Sequence, residues 1–347
     1  MNAPRQPAID ALKVLASQLI VLHHLASYGP VAEVMYTQFP GLMGWLYDYG
    51  RMAVQVFLVL GGYLAAQTLT PAMAGEASVL WRTLWRRYLR LAPPFLAALL
   101  VALGAAALAR HWLADDFVPG TPTLDQLLAH ALLLHEVMGV EALSAGVWYV
   151  AIDFQLHALL AGLLWIGWRG GQRWPAMVLV LLATVASLLH WNRDPALDDW
   201  SLYFFGAYGL GVAARWAGQW GNTGRRAWWL LAMGLVGVMA LALEYRTRIA
   251  LALSVALWLG LTQGRTFSLI PSNLDKVLDT LGRSSYALFL IHFPVLLLGN
   301  AIWVAAGGAS PAAALAVALT VWVLSMGLGL LFERHVEQPL ARRLRRT

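Results

Sequence analysis

Apolar residues along this 347-residue chain fall in long runs with only short polar breaks, from near residue 8 to residue 332. A helix of about 20 apolar residues crosses a hydrocarbon core of ~30 Å, so runs of this length predict membrane spans. Ten are expected: Ile9–Ala26, Trp45–Leu69, Leu89–Leu108, Val147–Trp168, Trp174–Trp191, Ser201–Trp216, Ala227–Leu243, Ile249–Leu261, Ser284–Ala305 and Pro311–Phe332. An eleventh run, Thr123–Val140, carries Asp125, His130, His135 and Glu136 and is expected to form a helix on the outer side that does not span.

The basic residues support that count, because Lys and Arg collect in cytoplasmic loops and one extra crossing would invert every later loop. With the N-terminus inside, only Arg51, Arg110, Arg193, Arg246 and Arg248 face outward, and the other 19 of the 24 Lys and Arg face inward. A crossing at Thr123–Val140 would scatter Arg169, Arg173, the Arg215–Arg226 group and the C-terminal tail over both sides. The expected fold is an all-α polytopic membrane protein of about ten transmembrane helices with both termini cytoplasmic. It is read as a single membrane-embedded domain over residues 1–347.

Composition narrows the function. With 60% hydrophobic and 12% charged residues the chain is no ordinary soluble domain, where about a quarter is charged. The absence of cysteine excludes disulfides, thiolate metal sites and a cysteine acyl carrier. The net charge of +6 fits basic cytoplasmic loops, so no nucleic-acid partner and no metal site are expected. The N-terminal apolar run has no clear small-residue cleavage site and reads as a retained first span.

Ionisable residues inside spans are costly and usually face a protein interior or a wet cavity. In the first span, Lys13 and His24 stand eleven residues apart, which returns them to nearly one helix face about 16 Å apart along the axis. Alternatively, Lys13 snorkels to the headgroups and the His23-His24 pair sits at the interface. Arg82, Arg86 and Arg90 share a face at i, i+4, i+8 in WRTLWRRYLRLAPPF, with Arg87 beside them. Guanidinium groups suit phosphate, although basic clustering at the inner membrane surface is the plainer account of them. Tyr149, Asp153 and His157 repeat the spacing in the fourth span; Asp153 is either chemical or a hydrogen-bonded tie between helices. His292 lies near the middle of its span, where a helix–helix hydrogen bond is the plainer role.

These stretches together resemble the acyltransferase-3 family of integral membrane acyltransferases. Lys13, ten residues and then His24 resemble its opening R/K-X10-H motif. Gly50 to Leu64 is similar to its G-x-x-x-V-D-x-F-F-V-L-S-G-[FY]-L span, with Gln55 in place of Asp and Gly61 in place of Ser. The arginines followed by Pro93-Pro94-Phe95 look like its R-x-x-R-x-x-P-x-[YF] element, and Trp148 to His157 resembles W-S-L-x-x-E-x-Q-F-Y, with Asp153 for Glu. Leu281 to Pro294 is very like L-G-x-x-S-Y-x-x-Y-L-x-H-x-P, and Glu337-Gln-Pro339 resembles the closing E-x-P. The chain runs eight residues past Pro339, so the esterase-like C-terminal domain that the family often carries is not expected.

The resemblance implies a membrane O-acyltransferase, foremost an O-acetyltransferase, moving an acyl group from cytoplasmic acyl-CoA to a hydroxyl of an envelope or exported glycan at a bacterial inner membrane. It implies His24 as the central catalytic residue, with Asp153 and His292 as further catalytic candidates. Lys13, Arg86, Arg87 and Arg90 would hold the phosphate-bearing donor, acetyl-CoA foremost. Two alternatives stay open: a proton-coupled transporter or flippase of an anionic or acylated solute, and an acyltransferase acting on a lipid, peptide or small metabolite. The lack of an internal repeat argues against the transporter, since many secondary transporters have repeated halves.

Overall fold

The computed structural model describes residues 6–72, 77–169, 171–219, 223–264, 272–308 and 310–344. Of the residues used above to orient the chain, Arg5, Arg265, Arg345 and Arg346 lie outside the described residues. In chain order the α-helices are α1 (Pro7–Ser27), α2 (Pro30–Gln38), α3 (Pro40–Tyr49), α4 (Val54–Ala72), α5 (Ala77–Ala109), α6 (Leu124–Ala131), α7 (Trp148–Gly167), α8 (Trp174–Leu189), α9 (Ser201–Ala217), α10 (Thr223–Leu243), α11 (Thr247–Thr262), α12 (Ser272–Arg283), α13 (Ser285–Ala305), α14 (Pro311–Phe332) and α15 (Gln338–Leu344). Among the described residues no strand occurs.

Each expected span is helical, Trp45–Leu69 covering the end of α3, a 3-10 turn at Gly50–Ala53 and most of α4. Among the described residues, eight helical segments are long and apolar enough to cross a membrane: Pro7–Ser27, Pro40–Thr70, Ser78–Ala109, Trp148–Gly167, Trp174–Arg193, Thr223–Leu243, Ser285–Ala305 and Pro311–Arg343. The other two expected spans, α9 and α11, have 17 and 16 residues, at or below the short end for crossing. The Thr123–Val140 run is helical only over the eight residues of α6, too few to span. It ends early because the chain turns at Leu133 and Gly139, both in the left-handed region.

The chain divides into two compact units, one comprising Met1–Ala53, Arg90–Val150 and Phe267–Thr347, the other Val54–Leu89 and Ala151–Thr266. In the first unit α1 packs on α3, α12 and α13, while α13 packs on α14 and α14 on α2. Gly282 lets α12 approach α1: a Cβ there would stand 3.0 Å from the Asp10 Cβ. The α1–α2 turn is fixed at Gly29, whose φ of +86° suits glycine and whose missing Cβ leaves room for the Asn300 amide. Asn300 accepts from the Val31 N–H at 3.1 Å and donates to the Leu296 carbonyl at 3.1 Å, tying the start of α2 to α13.

In the second unit α9 is the centre, buried on nearly every side and packed against α4, α8, α10 and α11. A helix that is apolar all round belongs in such a place. Its backbone meets that of α4 directly. A Cβ on Gly62 would strike the Tyr208 carbonyl, and one on Gly211 the Val59 carbonyl. The Gly61-Gly62 pair therefore serves close helix packing, as small residues do between membrane helices.

Candidate active site

Within the first unit, His24 on α1 meets His292 on α13. The His24 Nδ1 and His292 Nε2 are 2.5 Å apart, with the rings nearly parallel at 6°. Both side chains are buried, at 7% and 1% exposure, so few groups besides their own neighbours can set their protonation. The His292 Nδ1 faces the Phe289 carbonyl at 2.7 Å and the Leu288 carbonyl at 3.2 Å. Carbonyl oxygens only accept, so this nitrogen carries the proton, and in the neutral pair His292 Nε2 must be the acceptor. His24 therefore donates through Nδ1 and keeps a lone pair on Nε2. That nitrogen is a base with its tautomer fixed by two helices.

Gly146, just ahead of α7, closes over this pair. It has φ of +77°, and a Cβ there would lie 3.5 Å from His24 Cε1 and 3.1 Å from Phe289 Cζ. Only glycine meets both demands without strain. Tyr28, at the end of α1, packs its ring on His24 at 5.5 Å. His23 turns the other way, its Nδ1 facing the Leu46 carbonyl at 3.1 Å.

The same unit gathers charge around Lys13. Its Nζ is 3.8 Å from Asp10 Oδ1, and Arg90 acts electrostatically on both Lys13 and Glu337. Glu337, of the closing motif, belongs to a π-helical turn, Glu333–Glu337, that follows α14. Tyr286, of the L-G-x-x-S-Y stretch, donates its hydroxyl to the Leu91 carbonyl at 3.0 Å, joining α13 to α5.

The second unit holds a different constellation. Arg87 donates to Asp153 in a largely buried ion pair. A Cβ on Gly61 would lie 3.8 Å from Asp153 Oδ1 and 3.2 Å from Tyr208 Cε2, so the Tyr208 ring and the carboxylate share the space that this glycine leaves. The Tyr208 hydroxyl is buried with no hydrogen-bond partner among the described residues. Arg82 and Arg86 are exposed, as is Arg90.

The expected site residues are thus placed in two groups. His24 with His292, and Lys13 near Arg90, belong to the first unit. Asp153 with Arg87 belongs to the second, and the hydrogen bond recorded for the Asp153 carboxylate comes from Arg87. Tyr208 escaped the sequence reading because it is one aromatic among several in SLYFFGAYGL.

A second histidine pair lies outside the spans. His130 and His135 stack with centroids 4.2 Å apart and an interplanar angle of 5°, and Phe95 lies alongside both. Burial, and then the neighbouring His130, push His135 down to about 4, while Glu136 Oε1 lies 3.7 Å from its Nε2. Burial also lowers His130. A histidine held neutral in the folded state binds fewer protons than in the unfolded chain between those pH values, so stability falls as pH drops from about 6.5 towards 4. At ~1.4 kcal/mol per unit, His135 alone accounts for roughly 3 kcal/mol across that window. Thermal unfolding followed from pH 7 to pH 4 is expected to show this slope, reduced in His135→Phe. An unchanged slope would mean that His135 does not titrate between the two states.

The described residues form an all-α polytopic membrane protein with a buried, hydrogen-bonded histidine pair, His24 and His292, within its spans. The chain belongs to the acyltransferase-3 family: the acyltransferase domain that defines the family matches residues 6–332. It is accordingly a membrane acyltransferase, transferring groups other than aminoacyl groups. No curated protein and no solved structure matches it significantly.

Proposed function

We propose that the protein is an O-acyltransferase of a bacterial inner membrane that carries an acetyl group from cytoplasmic acetyl-CoA to a hydroxyl of an envelope or exported glycan. The observation that carries this reading is the lone pair left on His24 Nε2 by the hydrogen bond to His292. In this mechanism His24 Nε2 takes the proton of the acceptor hydroxyl while its oxygen forms a bond to the thioester carbonyl. The carbon–sulfur bond then breaks, and the CoA thiolate leaves with the proton that His24 received. Hydroxyl and thioester give ester and thiol, with no further reactant.

His292 acts as a positioning residue: it holds the His24 tautomer and shares the charge that the imidazole gains. Cationic groups in each unit are candidates for the donor's phosphates. Arg86 is exposed and free to meet phosphate, while Lys13 and Arg90 supply positive charge near one end of α1. Arg87 contributes through Asp153, whose carboxylate it fixes. With both termini cytoplasmic, Lys13 lies toward the donor side and His24 about 16 Å further along the helix. That separation suits a donor whose head is held at one surface and whose thioester reaches inward.

The test is thiol release from acetyl-CoA by the purified protein in detergent, with and without a crude envelope-glycan extract. An acyltransferase works there, whereas a transporter needs a sealed vesicle and a gradient. Thiol release stimulated by the extract is expected. No release with any of several acyl-CoAs would overturn the reading.

A further inference from the structure

Beside the histidine pair that lies outside the spans, the connections flanking α6 enclose an open groove of about 400 Å³. Its walls are two loop segments, Pro119–Thr123 on one side and Val140–Leu143 on the other, with Gln126 of α6 between them. This volume falls in the range of a small-molecule site and is far more than one acetyl group needs. We infer that this groove binds the acceptor, and that the acceptor is a neutral or amine-bearing sugar chain and not an acidic one. The inference rests on the acyl-transfer reading above and names the substrate class for it.

The groove is held open by its own hydrogen bonds. Thr123 and Gln126 form a reciprocal capping box: Thr123 Oγ1 accepts from the Gln126 N–H at 3.2 Å and Gln126 Oε1 from the Thr123 N–H at 2.9 Å. Arg110 Nη1 donates to the Pro119 carbonyl at 2.6 Å, pinning the first wall. His130 ties the floor to the second wall: its Nδ1–H donates to the Gln126 carbonyl at 2.7 Å and its Nε2 accepts from the Leu143 N–H at 3.2 Å. Those bonds use backbone groups of Pro119, Thr123, Gln126 and Leu143 and leave side-chain groups for a ligand.

What remains matches a polyol. The capping box uses the Gln126 oxygen and leaves its NH2 with two donors. Thr121 offers a hydroxyl. Glu141 is exposed, and its carboxylate can accept from two adjacent hydroxyls at once. The lining residues include no Lys or Arg, and Arg110 beside the first wall is turned to the Pro119 carbonyl, so an acidic sugar would bring its charge against Glu141. An amine would be attracted.

Both walls lead to His24. Phe117, two residues before Pro119, stacks on Tyr28 at 5.8 Å, and Tyr28 lies on the His24 ring. On the other wall, Leu143 is followed three residues later by Gly146, which abuts His24. Each wall thus continues, within a few residues, into a segment that packs around His24.

The experiment uses the purified full chain and three tetrasaccharide probes: N-acetylglucosamine, glucosamine and galacturonate tetramers. Binding is followed by saturation-transfer NMR, and acceptor-stimulated thiol release from acetyl-CoA by a thiol reagent. The first two probes are expected to bind and to stimulate release, and the galacturonate tetramer to do neither. Glu141→Gln is expected to raise the KM for the glucosamine tetramer about tenfold, with Glu141→Asp restoring part of it. Ala142→Trp, which fills the groove, should abolish binding of both. Binding unchanged in both Glu141→Gln and Ala142→Trp, equal binding of the acidic tetramer, or binding of none of the three would overturn the assignment. Glu141-dependent binding without any thiol release in the wild type would keep the groove and overturn the acyl-transfer reading instead.

Discussion

His24→Ala is expected to lower acetyl-CoA-dependent thiol release roughly 10³-fold, the middle of the range for a positioned general base. The variant removes the lone pair that the hydrogen-bond network aims away from the histidine pair. His23 cannot replace it, because its Nδ1 faces the Leu46 carbonyl on another side of α1. His292→Ala should cost less, roughly 10²-fold, because the base survives with its tautomer no longer fixed. The double variant should be scarcely worse than His24→Ala, since groups that act as a unit do not add. A pH–rate profile separates positioning from mere packing: its acidic limb should be displaced in His292→Ala and stay in place in His292→Gln, whose amide can still accept from His24 Nδ1. Wild-type turnover by His24→Ala would sink the general-base assignment, and an undisplaced limb in His292→Ala would leave His292 a packing residue.

The helices were legible because a membrane leaves the backbone little choice. Apolar runs of the right length must satisfy every N–H and C=O internally, and every expected span is duly helical. The individual chemical residues were legible too, since His24, His292 and Asp153 are conspicuous against apolar surroundings. Their partners were not. His24 and His292 are 268 residues apart and Arg87 and Asp153 are 66 apart, and no local spacing encodes either meeting. Helical periodicity put Arg82, Arg86 and Arg90 on one face, and all three are exposed. It said nothing of Arg87 turning to a carboxylate on another helix. The His130–His135 pair was hidden for a different reason. A mostly apolar run suggested one helix across Thr123–Val140, whereas the left-handed residues Leu133 and Gly139 fold that run back on itself and stack the two rings.

The pairing of Arg87 with Asp153 carries the other large effect. Both side chains are mostly shielded, at 22% and 9% exposure, so removing either partner strands a charge in a low-dielectric setting. Arg87→Ala or Asp153→Ala alone is expected to destabilise the second unit by roughly 3–5 kcal/mol, whereas Arg87→Met with Asp153→Leu should cost far less than the two single losses together. Thermal unfolding in detergent, reported by tryptophan fluorescence, measures the coupling. Activity then decides what the pair is for. A purely structural tie predicts that the apolar double variant recovers thiol release along with stability. A carboxylate that serves the reaction predicts a stable double variant that stays inactive. Tyr208 sharpens the choice: Tyr208→Phe removes a hydroxyl with no partner among the described residues, so it should leave stability nearly unchanged. A loss of activity in that variant at unchanged melting temperature would mean that the hydroxyl finds its partner in the substrate, and would put Asp153, Arg87 and Tyr208 together on the side of chemistry.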